Sequence, residues 1–153
     1  MLTLLYRLGD PRPTAAGGWR LYNFAMEADS SLVAIIDDDP GVCRALARVV
    51  RSLGYDAAIY LSGEDFLDRY ASTVPNHVLL DLHLPGLRGA ELISILLQCN
   101  VAARIVIMTG LDQPGAREKC LDAGAVAYIT KPVHRSDLAK LLAVSGGRDR
   151  TPV

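Results

Sequence analysis

Helical patterns alternate with short apolar runs along most of this chain, and this alternation restricts the fold more than any other feature. The helical segments cover residues 40–53, a short stretch after Ser62, and residues 91–98, 114–123 and 136–144. The strand-like runs cover residues 32–36, 55–60, 78–80, 104–108 and 125–129. Because parallel strands are usually joined by a crossover helix, five strands alternating with five helices predict an α/β domain with a parallel sheet covered on both faces.

Residues that begin or end helices support these boundaries. Asp39 precedes Pro40, a favourable first helical residue, so Asp39 is predicted to cap that helix. Ser62 and Ser136 are predicted to cap two further helices in the same way. His77 and His134 have no partner visible in the sequence, and both are interpreted as ordinary polar residues.

Composition restricts the function classes that this chain can serve. The formal net charge is −1, which gives no support for a nucleic-acid-binding surface. No apolar run approaches the roughly 20 residues of a membrane span. The 3 cysteines lack the spacing of a metal site and are interpreted as reduced packing groups, so we expect a cytoplasmic protein.

Polar side chains that suit one chemistry follow four of the five strands. Asp37 and Asp38 follow the first strand, Asp81 the third, Thr109 the fourth and Lys131 the fifth. In open parallel sheets, ligands bind at the carboxyl ends of the strands, so we expect these groups to converge. Each residue alone has an ordinary explanation as a cap, turn or surface charge. Their joint placement is what predicts a site.

Clustered carboxylates, a hydroxyl group and an amine suit phosphoryl transfer. Carboxylates repel one another unless a cation intervenes, and hard oxygen ligands favour Mg²⁺. The carboxylate of Asp81 can act as a nucleophile and form an aspartyl phosphate. Mg²⁺ and Lys131 would then supply positive charge to the phosphoryl oxygens, and Thr109 would donate a hydrogen bond to one of them.

Four motifs resemble the receiver domains of two-component response regulators, over about residues 32–144. They are IIDDDPGVCRAL, LLDLHLPGLRGAEL, VIMTG and AYITKPV. The chain is most similar to the nitrogen-fixation regulator type, in which the fourth strand also ends in Thr-Gly. The resemblance implies a (βα)5 flavodoxin-like, doubly wound sheet of five parallel strands in the order 2-1-3-4-5.

The resemblance also implies a role for each strand-end residue of the metal site. Asp81 is the expected phosphoacceptor. Asp38 is the expected direct ligand of Mg²⁺, and Asp37 the ligand that acts through water. The backbone carbonyl of His83 is the expected third protein ligand. His83 and Leu111 occupy the two positions that vary within the family and set the lifetime of the phosphoryl group. The bulky apolar Leu111 is expected to shield the phosphoryl group from water, which favours a long lifetime. His83 is interpreted as a solvent-facing loop residue.

Three further features are carried over from the family. Thr109 and Lys131 match the switch hydroxyl and the phosphate-binding amine, and Tyr128 matches the aromatic residue whose rotation reports phosphorylation. The peptide bond from Lys131 to Pro132 is expected to be cis. Gly89 matches the glycine of the loop after the acceptor.

Partners and domain organisation follow from the same resemblance. The phosphoryl donor would be a sensor histidine kinase or a histidine phosphotransfer protein. Residues 1–31 are expected to form a poorly ordered leader, 32–144 the receiver domain and 145–153 a flexible tail too short for an effector domain. Output would therefore be a downstream protein or a self-dimer, bound at the face of helix 4, strand 5 and helix 5. This face includes Arg117, Lys119, Tyr128, His134 and Arg135.

Two alternatives remain open at the level of sequence. Asp37 and Asp39 form a D-x-D that resembles haloacid-dehalogenase-type phosphatases, although Gly41 stands where that motif has Thr. The chain could instead be a receiver-like interaction module that is never phosphorylated. The predicted switch modifies only its own Asp81 and is not an enzyme that acts on a separate substrate.

Overall fold

The computed structural model describes residues 31–72, 74–99 and 102–144, and strands alternate with helices throughout this part of the chain. The strands are β1 (Leu32–Ile36), β2 (Asp56–Tyr60), β3 (His77–Asp81), β4 (Arg104–Thr109) and β5 (Ala127–Thr130). The helices are α1 (Pro40–Ser52), α2 (Gly63–Arg69), α3 (Gly89–Gln98), α4 (Ala116–Asp122) and α5 (Arg135–Ala143), with a short 3₁₀ turn at Tyr70–Ser72. The predicted leader, apart from Ser31, and the predicted tail lie outside the described residues.

The five strands form one parallel sheet in the order β2-β1-β3-β4-β5. The register places Leu80 beside Ile36 and Asp81 beside Met108, so the carboxyl ends of the central strands lie close together. The predicted fold and strand order are therefore confirmed. The order reverses direction between β1 and β3, which is the position where open α/β sheets bind ligands.

Side chains of β1 alternate between two apolar layers, one on each face of the sheet. Ala34 and Ile36 pack in the layer that α2, α3 and α4 cover. Val33 and Ile35 pack in the layer that α1 and α5 cover. Full burial of a Val or Ile side chain stabilises a fold by about 1.5–3 kcal/mol, so strands that are apolar throughout fit a sheet covered on both faces. No helix in residues 31–72, 74–99 and 102–144 is long and apolar enough to cross a membrane.

The predicted element boundaries differ from the structure at several places. Ser136 does not cap the last helix, which begins at Arg135 with His134 as the preceding residue and no side-chain cap. The fourth helix begins at Ala116 rather than 114, because Gly115 has a φ of +77° that a helical residue does not adopt. The last strand pairs with β4 only from Ala127 onward. Asp39 and Ser62 cap α1 and α2 as predicted.

His77 is not the ordinary polar residue that its sequence context suggests. His77 is the first residue of β3 and is only 3% exposed. The ring meets the edge of Tyr55 at 6.2 Å, and His77 lies beside Arg104 in the sheet register. Neither ring nitrogen has a hydrogen-bond partner within the described part of the chain. Burial, together with the nearby charge of Arg104, lowers the pKa of His77 below 6.5.

Acidification is therefore expected to weaken the fold through His77. In the unfolded chain the imidazole ionises with a pKa near 6.5, whereas the buried ring stays neutral to a lower pH. Between these two pKa values the unfolded state binds a proton that the folded state does not. The free energy of unfolding is therefore highest above pH 6.5 and falls as the pH drops toward the pKa of the folded state. The loss is at most about 1.4 kcal/mol per pH unit. Urea unfolding at about pH 7.5 and about pH 5.5 measures it.

His77→Phe should reduce this pH dependence, because it removes the titrating group and keeps an aromatic ring beside Tyr55. The exposed His134→Gln is the matched control and should leave the dependence unchanged. An unchanged pH dependence in His77→Phe would contradict the assignment.

Candidate functional site

Three acidic side chains meet at the carboxyl edge of the sheet. Asp37 follows β1, Asp38 is next to it, and Asp81 is the last residue of β3. One carboxylate oxygen from each lies within 4.8 Å of the others. Asp37 and Asp81 are 0% and 5% exposed, whereas Asp38 is open to solvent. The predicted convergence of these residues is therefore present in the structure.

Lys131 joins the two buried carboxylates. Its Nζ lies 2.6 Å from Asp37 Oδ2 and 3.5 Å from Asp81 Oδ2. Burial by itself would lower the pKa of Lys131, but the hydrogen bond to Asp37 and the charge of Asp81 outweigh it, so the pKa is raised above 10.5. The ammonium group therefore stays charged at neutral pH and lies against the side chain of the predicted phosphoacceptor.

The Oδ1 atom of each buried carboxylate accepts a hydrogen bond from the backbone two residues further along the chain. Asp37 Oδ1 accepts a hydrogen bond from the backbone N–H of Asp39 at 2.9 Å. Asp81 Oδ1 accepts one from the backbone N–H of His83 at 3.2 Å. Each acid therefore holds its own loop with Oδ1 and faces Lys131 with Oδ2, which orients both side chains.

Asp39 has a separate task from the other acids. Its Oδ1 accepts hydrogen bonds from the N–H groups of Gly41 and Val42, at 2.7 and 3.3 Å, and so caps α1. Asp39 is outside the cluster of three carboxylates. The geometry therefore does not favour the phosphatase alternative, in which Asp39 would act as the acid.

The donor set of this edge fits a small divalent cation. Three carboxylates meet at this edge, and the Lys131 ammonium group pairs with two of them, Asp37 and Asp81, so negative charge stays uncompensated. Hard carboxylate oxygens around an open position are the ligands that Mg²⁺ prefers, and the exposed Asp38 is on the open side. The carbonyl of His83 stays a predicted ligand, although its N–H contact places the residue beside Asp81.

Thr109 and Tyr128 occupy the β4 and β5 side of the same edge. The Thr109 hydroxyl is buried, donates to the carbonyl of Leu111 at 2.8 Å and accepts from the Leu111 N–H at 3.1 Å. Tyr128 is 5% exposed, and its hydroxyl donates to Asp112 Oδ1 at 3.0 Å. Burial and this hydrogen bond raise the pKa of Tyr128 above 10.0. Tyr128 thus packs in the apolar layer that α2, α3 and α4 cover, with its hydroxyl on Asp112 in the loop after β4.

Contacts that the sequence did not reveal support the Tyr128 position. Asp112 accepts from the Tyr128 hydroxyl, and Arg117 Nη1 donates to the Tyr128 carbonyl at 3.4 Å. Both residues are exposed and lie in irregular or helical segments, where charged residues are common. Leu111, predicted to shield the phosphoryl group, is 60% exposed and its carbonyl also lies 3.4 Å from His83 Nε2.

Backbone features expected near the site are present. The peptide bond from Lys131 to Pro132 is cis. Gly89 begins α3, and a Cβ on it would lie 3.0 Å from both the Asp81 carbonyl oxygen and the Leu82 Cα. Since backbone atoms cannot move aside as a flexible side chain can, glycine fits best where α3 approaches the end of β3.

Comparison with known proteins identifies the family. The response regulator receiver domain family matches residues 33–143. The tetrathionate response regulatory protein TtrR of Salmonella typhimurium is 37% identical over 66% of this chain and 49% of its own length. Nodulation protein W of Bradyrhizobium diazoefficiens is 27% identical over 86% of this chain and 59% of its own length. The chain thus spans about half the length of the curated relatives it matches.

Solved structures share the fold. A CheY-like receiver domain protein from Methanospirillum hungatei has a TM-score of 0.70 and 26% identity, over 75% of this chain and 92% of that one. The FixJ-N crystal structure has a TM-score of 0.69 and 24% identity, over 75% of this chain and 92% of that one, which shows the fold alone. The similarity to nodulation protein W is in line with the predicted similarity to the nitrogen-fixation type. This chain therefore belongs to the response regulator receiver domain family, which serves two-component signalling.

Proposed function

We propose that this chain is a switch of a two-component pathway in which Asp81 accepts a phosphoryl group from a sensor histidine kinase or a histidine phosphotransfer protein. One observation carries the proposal. Asp81 Oδ2 lies 3.5 Å from the ammonium group of Lys131, within a cluster that also contains Asp37 and Asp38. A carboxylate, the positive charge of Lys131 and an acidic cluster whose oxygens suit a cation thus lie at one edge of the sheet, which supports the proposal.

The proposed transfer uses each of these groups. A carboxylate oxygen of Asp81 attacks the phosphorus of the donor phosphohistidine, a P–O bond forms, and the P–N bond breaks. The imidazole leaves with the electron pair and takes a proton from water. Lys131 meets the negative charge on the phosphoryl oxygens, and positioning with charge stabilisation is what such a reaction chiefly requires.

The cation site has a supporting role in this proposal. Asp38 and Asp81 would hold Mg²⁺ directly, Asp37 through water, and the carbonyl of His83 would complete the protein ligands. Mg²⁺, when bound, would neutralise further charge on the phosphoryl oxygens. The free thiols Cys43, Cys99 and Cys120 suit a reducing compartment, so the proposed location is the cytoplasm.

The proposed output is a change at the face formed by α4, β5 and α5. In the described conformation the Thr109 hydroxyl donates to the carbonyl of Leu111. The hydroxyl would have to leave this carbonyl before it could donate to a phosphoryl oxygen on Asp81. Tyr128, next to this site, lines a groove of about 380 Å³ together with Arg117 and His134. Phosphorylation would shift the population of conformations at this groove and thereby change the binding of a downstream protein or a second copy.

Chemical mapping of the adduct tests this proposal. The protein is incubated with acetyl phosphate and Mg²⁺, reduced with borohydride and digested, and the modified residue is identified by mass spectrometry. We expect modification at Asp81 alone, and none when EDTA is present. Modification at Asp37 would instead support phosphatase-like chemistry, and a folded protein that is never modified would support the interaction module.

A further inference from the structure

The loop between Asp81 and α3 has to be held in place for the proposed site to work. It carries His83, whose N–H donates to Asp81 Oδ1 at 3.2 Å. Its start is fixed by the hydrogen bond from the Leu82 N–H to the Met108 carbonyl at 2.8 Å. Its end returns to the same place, because the Gly89 N–H donates to the Leu82 carbonyl at 3.4 Å. Between these anchors the buried side chain of Leu84 packs into the apolar layer that α2, α3 and α4 cover, which leaves the backbone after it to be held by polar contacts.

Glu64 provides a contact to this middle segment from another helix. Glu64 lies in the first turn of α2, and its Oε1 accepts a hydrogen bond from the backbone N–H of Leu87 at 3.0 Å. Gly86 lies directly beneath the carboxylate, since a Cβ there would be 2.9 Å from Oε1. Gly86 also has a φ of +76°, which favours glycine. The loop backbone and the carboxylate are therefore closely fitted.

Packing beside the hydrogen bond extends the same contact. A Cβ on Gly63, the residue before Glu64, would lie 3.2 Å from Leu87 Cδ2. Leu87 thus contacts the start of α2 with its side chain and donates to it with its N–H. Gly86 thus leaves room for the Glu64 carboxylate, and Gly63 leaves room for the Leu87 side chain.

We propose that Glu64 is a positioning residue for Asp81, an inference that rests on the proposed function. By holding the Leu87 N–H, Glu64 fixes the loop from which His83 donates to Asp81 Oδ1. The same loop carries the carbonyl that is the proposed third ligand of Mg²⁺. Glu64 contacts neither the phosphoryl group nor the cation; it acts through the backbone of the loop.

Two variants of Glu64 separate the hydrogen bond from the charge. Glu64→Ala removes the acceptor, whereas Glu64→Gln keeps a carbonyl oxygen that can accept from Leu87. We expect Glu64→Ala to raise the hydrogen-exchange rate of the Leu87 amide. It should also lower the Mg²⁺ affinity and the rate of phosphorylation by acetyl phosphate. Each of the three quantities should change by roughly three- to tenfold, which corresponds to the loss of one hydrogen bond. Glu64→Gln should stay close to the wild type in all three measurements.

Asp68→Ala is the matched control, because it removes the same charge from an exposed position of α2. It should change none of the three quantities beyond a small electrostatic effect. Unchanged exchange of the Leu87 amide in Glu64→Ala would overturn the inference whether or not Asp81 is phosphorylated. If the wild type takes up no phosphate, the proposed function fails, while the amide exchange and Mg²⁺ titration still test the role of Glu64.

Discussion

Asp81→Asn is expected to abolish phosphorylation and leave the fold intact. Asparagine keeps the Oδ1 that accepts from the His83 N–H, so the following loop retains its anchor. The amide lacks the carboxylate oxygen that attacks phosphorus, so no acyl phosphate can form. Uptake of radiolabelled phosphate from acetyl phosphate, with Mg²⁺ present, should fall to background. Circular dichroism and urea unfolding show whether the variant is folded.

Asp39→Asn is the matched control for this experiment. Asparagine caps helices about as well as aspartate, so α1 should be unaffected. Because Asp39 is outside the carboxylate cluster, this variant should take up phosphate at close to the rate of the wild type. The reverse result, loss of label in Asp39→Asn and retention in Asp81→Asn, would indicate the D-x-D chemistry of a phosphatase.

The strand-end site could be predicted because its residues follow apolar runs that are easy to recognise. Asp81 comes after a run that must be buried, and Lys131 comes after another. In a parallel sheet the carboxyl ends of all strands lie at the same edge, so separation along the chain does not matter. The ion pair between Lys131 and Asp37 joins residues 94 positions apart, yet both were identified from local pattern and topology.

Contacts that depend on the reach of single side chains could not be predicted in this way. Glu64 and Leu87 are 23 positions apart, and neither periodicity nor capping rules indicate that a carboxylate of α2 meets a loop amide. Asp112 reaches Tyr128 from an irregular segment for which no pattern exists. His77 has the sequence context of an ordinary polar residue, because the apolar run begins after it, but in the fold it is buried and its ring meets the edge of Tyr55.

Lys131→Met is expected to destabilise the protein as well as to impair phosphorylation. The substitution leaves the buried carboxylates of Asp37 and Asp81 beside one another without the ammonium group that contacts both. Breaking a buried ion pair lowers the free energy of unfolding by about 3–5 kcal/mol. We expect a loss of about 3 kcal/mol, at the lower end, because solvent on the open side of the site screens part of the carboxylate charge. The lysine side chain is itself 22% exposed. Urea unfolding at neutral pH, with EDTA present, measures the loss.

The cause of that loss can be tested by removing the opposing charge. If repulsion between carboxylates is responsible, Lys131→Met combined with Asp37→Asn should be more stable than Lys131→Met alone, because the double variant no longer buries an unpaired charge at Asp37. Mg²⁺ should also restore part of the stability of Lys131→Met, since a cation that binds only the folded site stabilises it. Lys140→Met, an exposed change of the same type on α5, should leave stability nearly unchanged. A Lys131→Met variant as stable as Lys140→Met would show that solvent already screens the carboxylates, and that the ammonium group serves the phosphoryl group alone.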